Sequence, residues 1–224
     1  IDVDDEIRGF VAKATIGSGW SGVIHSFTNS NDQDSIHRFW DIIVDSTDSM
    51  YVVGEFTGNL RLSGTQITQT PWGDDDSIMD GLILRVDSDF EWSWGKRIGG
   101  NGIDRLWGVD VDLNDNAIIG GSFGSDFRDD DFELQSEGGK DMLLASITSS
   151  MEFNWAESAG GSDDDQIWDV DVDASNGTVY VTGDFQDTIS FNGSSLSLTS
   201  TIQAHDGFMA AYSSTDGWIW AHGF

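Results

Sequence analysis

Apolar and polar residues alternate through IWDVDVD (167–173), and nearly the same string stands twice before it, as FWDIIVD (39–45) and LWGVDVD (106–112). A period of two is the signature of a half-buried strand. It predicts Trp168, Val170 and Val172 on one face and Asp169, Asp171 and Asp173 on the other. A short turn rich in Asp, Asn, Ser and Gly follows each copy, and then a second apolar run: MYVVGEF (50–56), AIIGGSF (117–123) and VYVTGDF (179–185). Later in each unit come DGLILRVD (80–87) with EWSW (91–94), DMLLASIT (141–148) with FNW (153–155), and DGFMAAYS (206–213) with WIW (218–220). RGFVAKAT (8–15) with Trp20 is an earlier relative of this last pair. No stretch sustains the 3.6-residue period of a helix.

Trp40, Trp107 and Trp168 are spaced by 67 and 61 residues, and Trp20, Trp94, Trp155 and Trp220 by 74, 61 and 65. Two independent anchors therefore give a repeat of about 60–70 residues. Each unit reads as two strands, an added hairpin and two more strands. The hairpin is signalled by Ser63-Gly64 in LRLSGTQITQT (60–70) and Asn192-Gly193 in ISFNGSSLSLTS (189–200), while its middle copy, FRDDDFELQSEGGKD (127–141), is more acidic. Twenty-seven glycines and a single proline beside many aromatics, ten of them Trp, agree with an all-β chain. Units of four or five strands whose faces need neighbours suit a β-propeller. The expected layout over 1–224 is a partial blade at 1–27 and blades at 28–100, 101–161 and 162–224, about three and a half in all, forming a propeller or an arc of one.

The composite pattern WxVxVDxxxNxxYVxGxF followed by DGFxxAxxxxxGxxxWA resembles the SBBP-type β-propeller repeats of large secreted or surface proteins of bacteria and archaea, over essentially the whole chain. AAYSSTDGWIWA (210–221) is also similar to the third-strand, turn and fourth-strand segment of quinoprotein-like propellers, although the longer repeat and added hairpin depart from that family. The first resemblance implies a propeller outside the cell. It implies no particular chemistry.

Forty acidic residues against ten basic ones give a formal net charge of −30. That excludes nucleic acid as a natural partner, because phosphates need Lys and Arg to displace their counterions, and it disfavours anionic membrane surfaces. No apolar run approaches the roughly 20 residues needed to cross a bilayer. With no cysteine, disulfides and thiolate metal sites are out of reach. A salty or divalent-rich exterior suits such self-repulsion.

The aspartate-rich turns are the first candidate chemistry. Asp110, Asp112 and Asn114, and Asp171, Asp173 and Asn176, resemble short Ca2+ loops in which alternate oxygens wrap a hard cation. The competing role for Asp45, Asp112 and Asp173 is to cap the turn by accepting main-chain N–H groups. Asp110 and Asp171 stand apart, because the first copy carries Ile43 in their place. Trp72 beside Asp74, Asp75 and Asp76 has no counterpart in the other units and is the expected partner-binding spot. The recurrent Trp20, Trp40, Trp94, Trp107, Trp155, Trp168 and Trp220 are expected in the core between units. Asn176-Gly-Thr and Asn192-Gly-Ser match the N-glycosylation pattern in exposed turns. GGSFG (120–124) matches G-x-S-x-G only formally, since Ser122 ends a strand with no helix after it. His25, His37, His205 and His222 lack metal-ligand spacing.

Every recurrent residue thus has a folding role. The expected function is a non-enzymatic extracellular or cell-surface propeller for structural assembly, adhesion or protein and glycan binding. Two alternatives remain open at this level. One is a propeller enzyme, a glycoside hydrolase, lyase or quinoprotein-like oxidoreductase, using Asp41, Asp110, Asp169 and Asp171 in a central channel. The other is a subunit of an extracellular filament or sheath, built through exposed strand edges.

Overall fold

The structure, a computed structural model, describes residues 8–28, 35–71, 78–128, 132–200 and 205–224. Among these residues it is all-β, with twenty strands and no helix, and so no helix long and apolar enough to cross a membrane. Two strands come first, β1 (Phe10–Thr15) and β2 (Gly19–Phe27). The first full unit holds β3 (His37–Val44), β4 (Met50–Phe56), the hairpin β5 (Leu60–Leu62) and β6 (Thr68–Gln69), then β7 (Asp80–Val86) and β8 (Trp92–Ile98). The second holds β9 (Arg105–Val111), β10 (Ala117–Phe123), β11 (Asp126–Arg128), β12 (Glu133–Gln135), β13 (Asp141–Ile147) and β14 (Phe153–Gly161). The third holds β15 (Gln166–Val172), β16 (Val179–Phe185), β17 (Thr188–Phe191), β18 (Ser197–Thr199), β19 (Asp206–Ser213) and β20 (Gly217–Gly223).

The four long strands of each unit form one antiparallel meander, β3-β4-β7-β8, β9-β10-β13-β14 and β15-β16-β19-β20. The added hairpin does not join it. Instead β5 pairs with β2 through Ser26↔Leu62 and Phe27↔Arg61, and β17 pairs with β14 through Ala159↔Phe191, Gly160↔Ser190 and Gly161↔Ile189. Each of these units hands its hairpin back to the outer edge of the preceding sheet, which covers main-chain groups that an edge would otherwise expose. β11 and β12 form a two-stranded sheet of their own, with Asp126 held close to the chain leaving β8 by a bond from Asn101 Nδ2.

Three apolar cores lie between consecutive sheets. Val11 packs with Val52, Leu82 and Leu84; Tyr51, Val53 and Ile83 pack with Val109, Ile119 and Leu143; Ile118, Met142 and Leu144 pack with Val170, Val181 and Phe208. The second and third strands of the first two units are therefore buried on both faces. This is why they read as unbroken apolar runs, Tyr51-Val52-Val53 and Leu82-Ile83-Leu84, and do not alternate.

The first strands differ from the expected alternation in one respect. In all three, the register slips by one residue at the tryptophan: between Phe39 and Asp41, at Trp107 opposite Gly120 and Gly121, and between Ile167 and Asp169. Trp40, Trp107 and Trp168 are thus the extra residues of equivalent β-bulges. The slip puts Ile167, Val170 and Val172 in the core and leaves Trp168 45% exposed, so Trp168 does not share a face with Val170. It also explains the glycine of each second strand. A Cβ on Gly54, Gly121 or Gly183 would lie 1.9, 1.9 or 2.0 Å from the carbonyl oxygen of Arg38, Arg105 or Gln166, which the bulge pushes across.

Candidate functional site

The bulges bring the first-strand tryptophans together on one face. Trp40 and Trp107 have ring centroids 5.0 Å apart, and Trp107 and Trp168 4.8 Å apart, each pair tilted by 42–48°. The three rings form a ladder across three sheets, with both end rungs about half exposed. Of the seven tryptophans expected in the core, only Trp94 is buried; Trp107, Trp155 and Trp220 are partly buried and Trp20 is open to solvent. The bulge accounts for the first-strand departures, because it turns those rings out of the inter-sheet core.

A charged rim borders the ladder. Glu55 is buried between Arg38 at 2.7 Å and Arg105 at 2.8 Å, and the Arg105 guanidinium lies 5.7 Å from the Trp107 ring centroid. Two units further on, Asp184 takes the place of Glu55 and accepts from both Trp168 Nε1 and His205 Nδ1. The end of each second strand, GEF, GSF or GDF, carried this signal, since its variable residue follows the glycine that the bulge requires.

Beside the rings stand Asp41, Asp110, Asp169 and Asp171. Asp41 accepts from its neighbour's amide, Ile42 N, and from Val109 N of the next unit at 2.9 Å. Asp110 accepts from Val111 N and from Val172 N of the next unit at 2.7 Å. These carboxylates staple adjacent first strands, so the fold does account for Asp110. Gly108 lets the next first strand come close: a Cβ there would meet the Asp169 Cα at 2.8 Å. Burial raises Asp110 above the ordinary carboxylate range, and the Asp171 charge beside it adds to the rise. Asp169 is raised by burial and then by Asp41, Asp171 and Asp110.

Of the residues expected to hold Ca2+, Asp112, Asp173 and Asn176 accept hydrogen bonds within their own turns. Asp112 Oδ1 accepts from Asn114 N and Asn116 N at 2.8 and 2.9 Å, and its Oδ2 from Asn116 Nδ2. Asp173 accepts from Ser175 N and Asn176 Nδ2, and Asn176 Oδ1 accepts from Thr178 N. These are turn caps. The structure brings together no three His, Asp or Glu side chains able to hold a metal among the described residues. Asn176 and Asn192 are both exposed in turns, with their amide nitrogens bonded to Asp173 and to Ser158. Trp72, Asp74, Asp75 and Asp76 lie outside the described residues.

Sequence reasoning missed a second set of carboxylates. Asp104 and Asp165, three residues before the ladder tryptophans, are 1% and 0% exposed. Asp104 accepts from Gly100 N and Gly124 N, and Asp165 from Gly161 N and Gln186 N, so each ties the joint between units to the end of the following second strand. Burial pushes Asp104 up to about 6 and Asp165 up to about 7, the latter against its bonds and helped by Asp141, itself raised by burial to about 6. The signal was present in GGNGID (99–104) and GGSDDD (160–165). The first glycine of each pair makes room for a buried carboxyl: a Cβ on Gly99 would lie 2.2 Å from Asp104 Oδ2, and one on Gly160 2.4 Å from Asp141 Oδ1. No protein-family model matches the chain, and no curated protein matches it.

Proposed function

We propose that the protein is a non-enzymatic, extracellular or cell-surface β-propeller module whose meanders are blades, and that the tryptophan ladder is its contact face for a glycan or protein partner. The observation that carries this reading is that Trp40, Trp107 and Trp168 are turned out of the core by a bulge repeated in all three units, yet stay stacked at 4.8–5.0 Å. Rings used only for packing have no need of that displacement. Flat aromatic faces bordered by carboxylates and an arginine suit a sugar, whose C–H face stacks while its hydroxyls find acceptors. Face-to-face packing of consecutive sheets and the convergence of their first strands support the propeller reading. The carboxylates of Asp41 and Asp110 are engaged with main-chain N–H groups, which favours a holding role for them over proton transfer.

Glycan-array screening followed by calorimetric titration tests this. Trp168→Ala is expected to weaken binding about tenfold or more, consistent with the stacking and area lost, while leaving the circular dichroism unchanged. Absence of binding to every glycan and surface protein tried, with the chain folded, would overturn the reading.

A further inference from the structure

Equivalent positions along the chain have very different surroundings at one place. Phe10 in β1 corresponds to Leu82, Leu143 and Phe208 in β7, β13 and β19. Those three are 0–2% exposed, whereas Phe10 is 65% exposed. Ile42 and Val44 in β3 are 44% and 54% exposed, while of their counterparts Val109, Val170 and Val172 are 4%, 5% and 8% exposed and Val111 is partly buried. The cause is topological. β7, β13 and β19 each lie inside their sheets with a second strand on one side and a fourth on the other, but β1 is the edge of the order β1-β2-β5-β6. Between β1 and β3 runs a groove with clefts of about 240 and 390 Å³, lined by Phe10, Ala12, Phe39, Trp40 and Ile42.

We infer that this groove is a docking site for a two-stranded β-hairpin of the kind formed by the first and second strands of these units. Three features of the other units specify the occupant. The strand pairing with β1 must place glycine opposite Phe10, as Gly183 stands opposite Phe208 and Gly54 opposite Leu82. The strand beside β3 must carry a bulged tryptophan, which would continue the ladder onto the half-exposed Trp40 at the spacing of the existing rungs, 4.8–5.0 Å. An aspartate three residues after that tryptophan would reach the amide of Val44, as Asp110 reaches that of Val172. Main-chain pairing along β1 supplies the affinity and the apolar face of Ile42 and Val44 the specificity, which is recognition by strand addition. The inference rests on the reading of the meanders as adjacent blades and is independent of any glycan.

The test uses the whole chain and a fluorescein-labelled synthetic peptide of residues 166–185, which carries Trp168, Asp171 and Gly183, read by fluorescence anisotropy. Saturable one-to-one binding is expected, with a scrambled peptide inert, Phe10→Asp and Ile42→Asp each weakening binding about tenfold or more, and Ile16→Asp on the far turn leaving it unchanged. Hydrogen exchange provides a readout that needs no variant: the amides of β1 slow when the peptide is bound. No saturable binding, equal binding of the scrambled peptide, or self-association of the chain that protects β1 without peptide would each overturn the inference. A chain that takes the peptide but no glycan leaves it standing and removes the ladder's proposed ligand instead.

Discussion

The turns and the joints of this molecule use the same residue for opposite electrostatic ends. In the turn between first and second strands, Asp173 is held below the ordinary carboxylate range by hydrogen bonds from Ser175. Asp45 is also held low: burial alone would raise it, but bonds from Thr47 and Ser49 and the Arg85 guanidinium at 2.8 Å outweigh that. At the joints, Asp104, Asp141 and Asp165 also accept main-chain N–H groups, yet burial wins and all three are raised. Hydrogen bonding is common to both places, so the difference lies in water and in cations. A turn has one or both, whereas the joint has a second carboxylate. In a chain with a net charge of −30, shielding a few acids where they can stay protonated relieves part of the repulsion.

Removing a joint carboxyl is expected to have the largest effect. Asp165→Ala leaves the buried amide of Gly161 and the partly buried amide of Gln186 without their acceptor, and each such loss costs about 1–3 kcal/mol. Urea denaturation at pH 5, where the joint acid is already neutral, should show a loss of roughly 2–6 kcal/mol on that basis. Asp112→Ala, which removes an equally bonded carboxylate from an accessible turn, should lose about 1 kcal/mol because water can replace it. Equal losses would mean that burial does not separate the two places.

Stability against pH sharpens the same contrast. A joint acid raised to about 6 or 7 binds its proton more tightly folded than unfolded. Its contribution is therefore complete below about pH 4, the unfolded value, and is lost as pH rises through 6 to 7. Each pH unit separating the folded from the unfolded value is worth about 1.4 kcal/mol, so the chain should lose a few kcal/mol between pH 4.5 and 8, seen as a falling melting temperature. General repulsion acts in the same direction, so the double variant Asp104→Asn with Asp165→Asn provides the control. It should flatten the slope, and a slope unchanged in that variant would assign the effect to repulsion alone.

Much of the fold was legible because it rests on repetition. The four long strands of each unit fall where the recurrent alternating or apolar runs put them, and the hairpins of the first and third units where the Gly-centred turns do. The bulge was not legible, because Trp168, Val170 and Val172 are in phase by number and only a carbonyl displaced toward Gly183 puts them out of phase in space. The destination of the hairpins was hidden for a similar reason. Nothing within residues 188–199 distinguishes pairing with β14 from pairing within the hairpin's own sheet; that choice depends on which edge is left open nearby. Asp165 and Asp173 are the same letter at either end of one strand. Only the glycine pair ahead of Asp165 marks it as buried, and a single sequence gives that pair no special meaning.

The smallest effect expected is also the most selective. Asp173 is only partly covered, and its folded value is depressed by Ser175 and Asn176. Its stabilisation is therefore present above about pH 4 and is lost as pH falls through the depressed value, the reverse of the joints. Asp173→Asn retains an oxygen that can accept from Ser175 N and removes only the charge. At pH 6 its melting temperature should match the parent within about 2 °C, a bound set by the size of a single exposed turn bond. Between pH 4 and 2 the parent should decline more steeply than the variant. If Asp173→Asn instead behaves as Asp173→Ala at both pH values, the turn carboxylate acts by its charge, and the division between hydrogen-bonded turns and buried joints would have to be redrawn as one between charged and neutral acids.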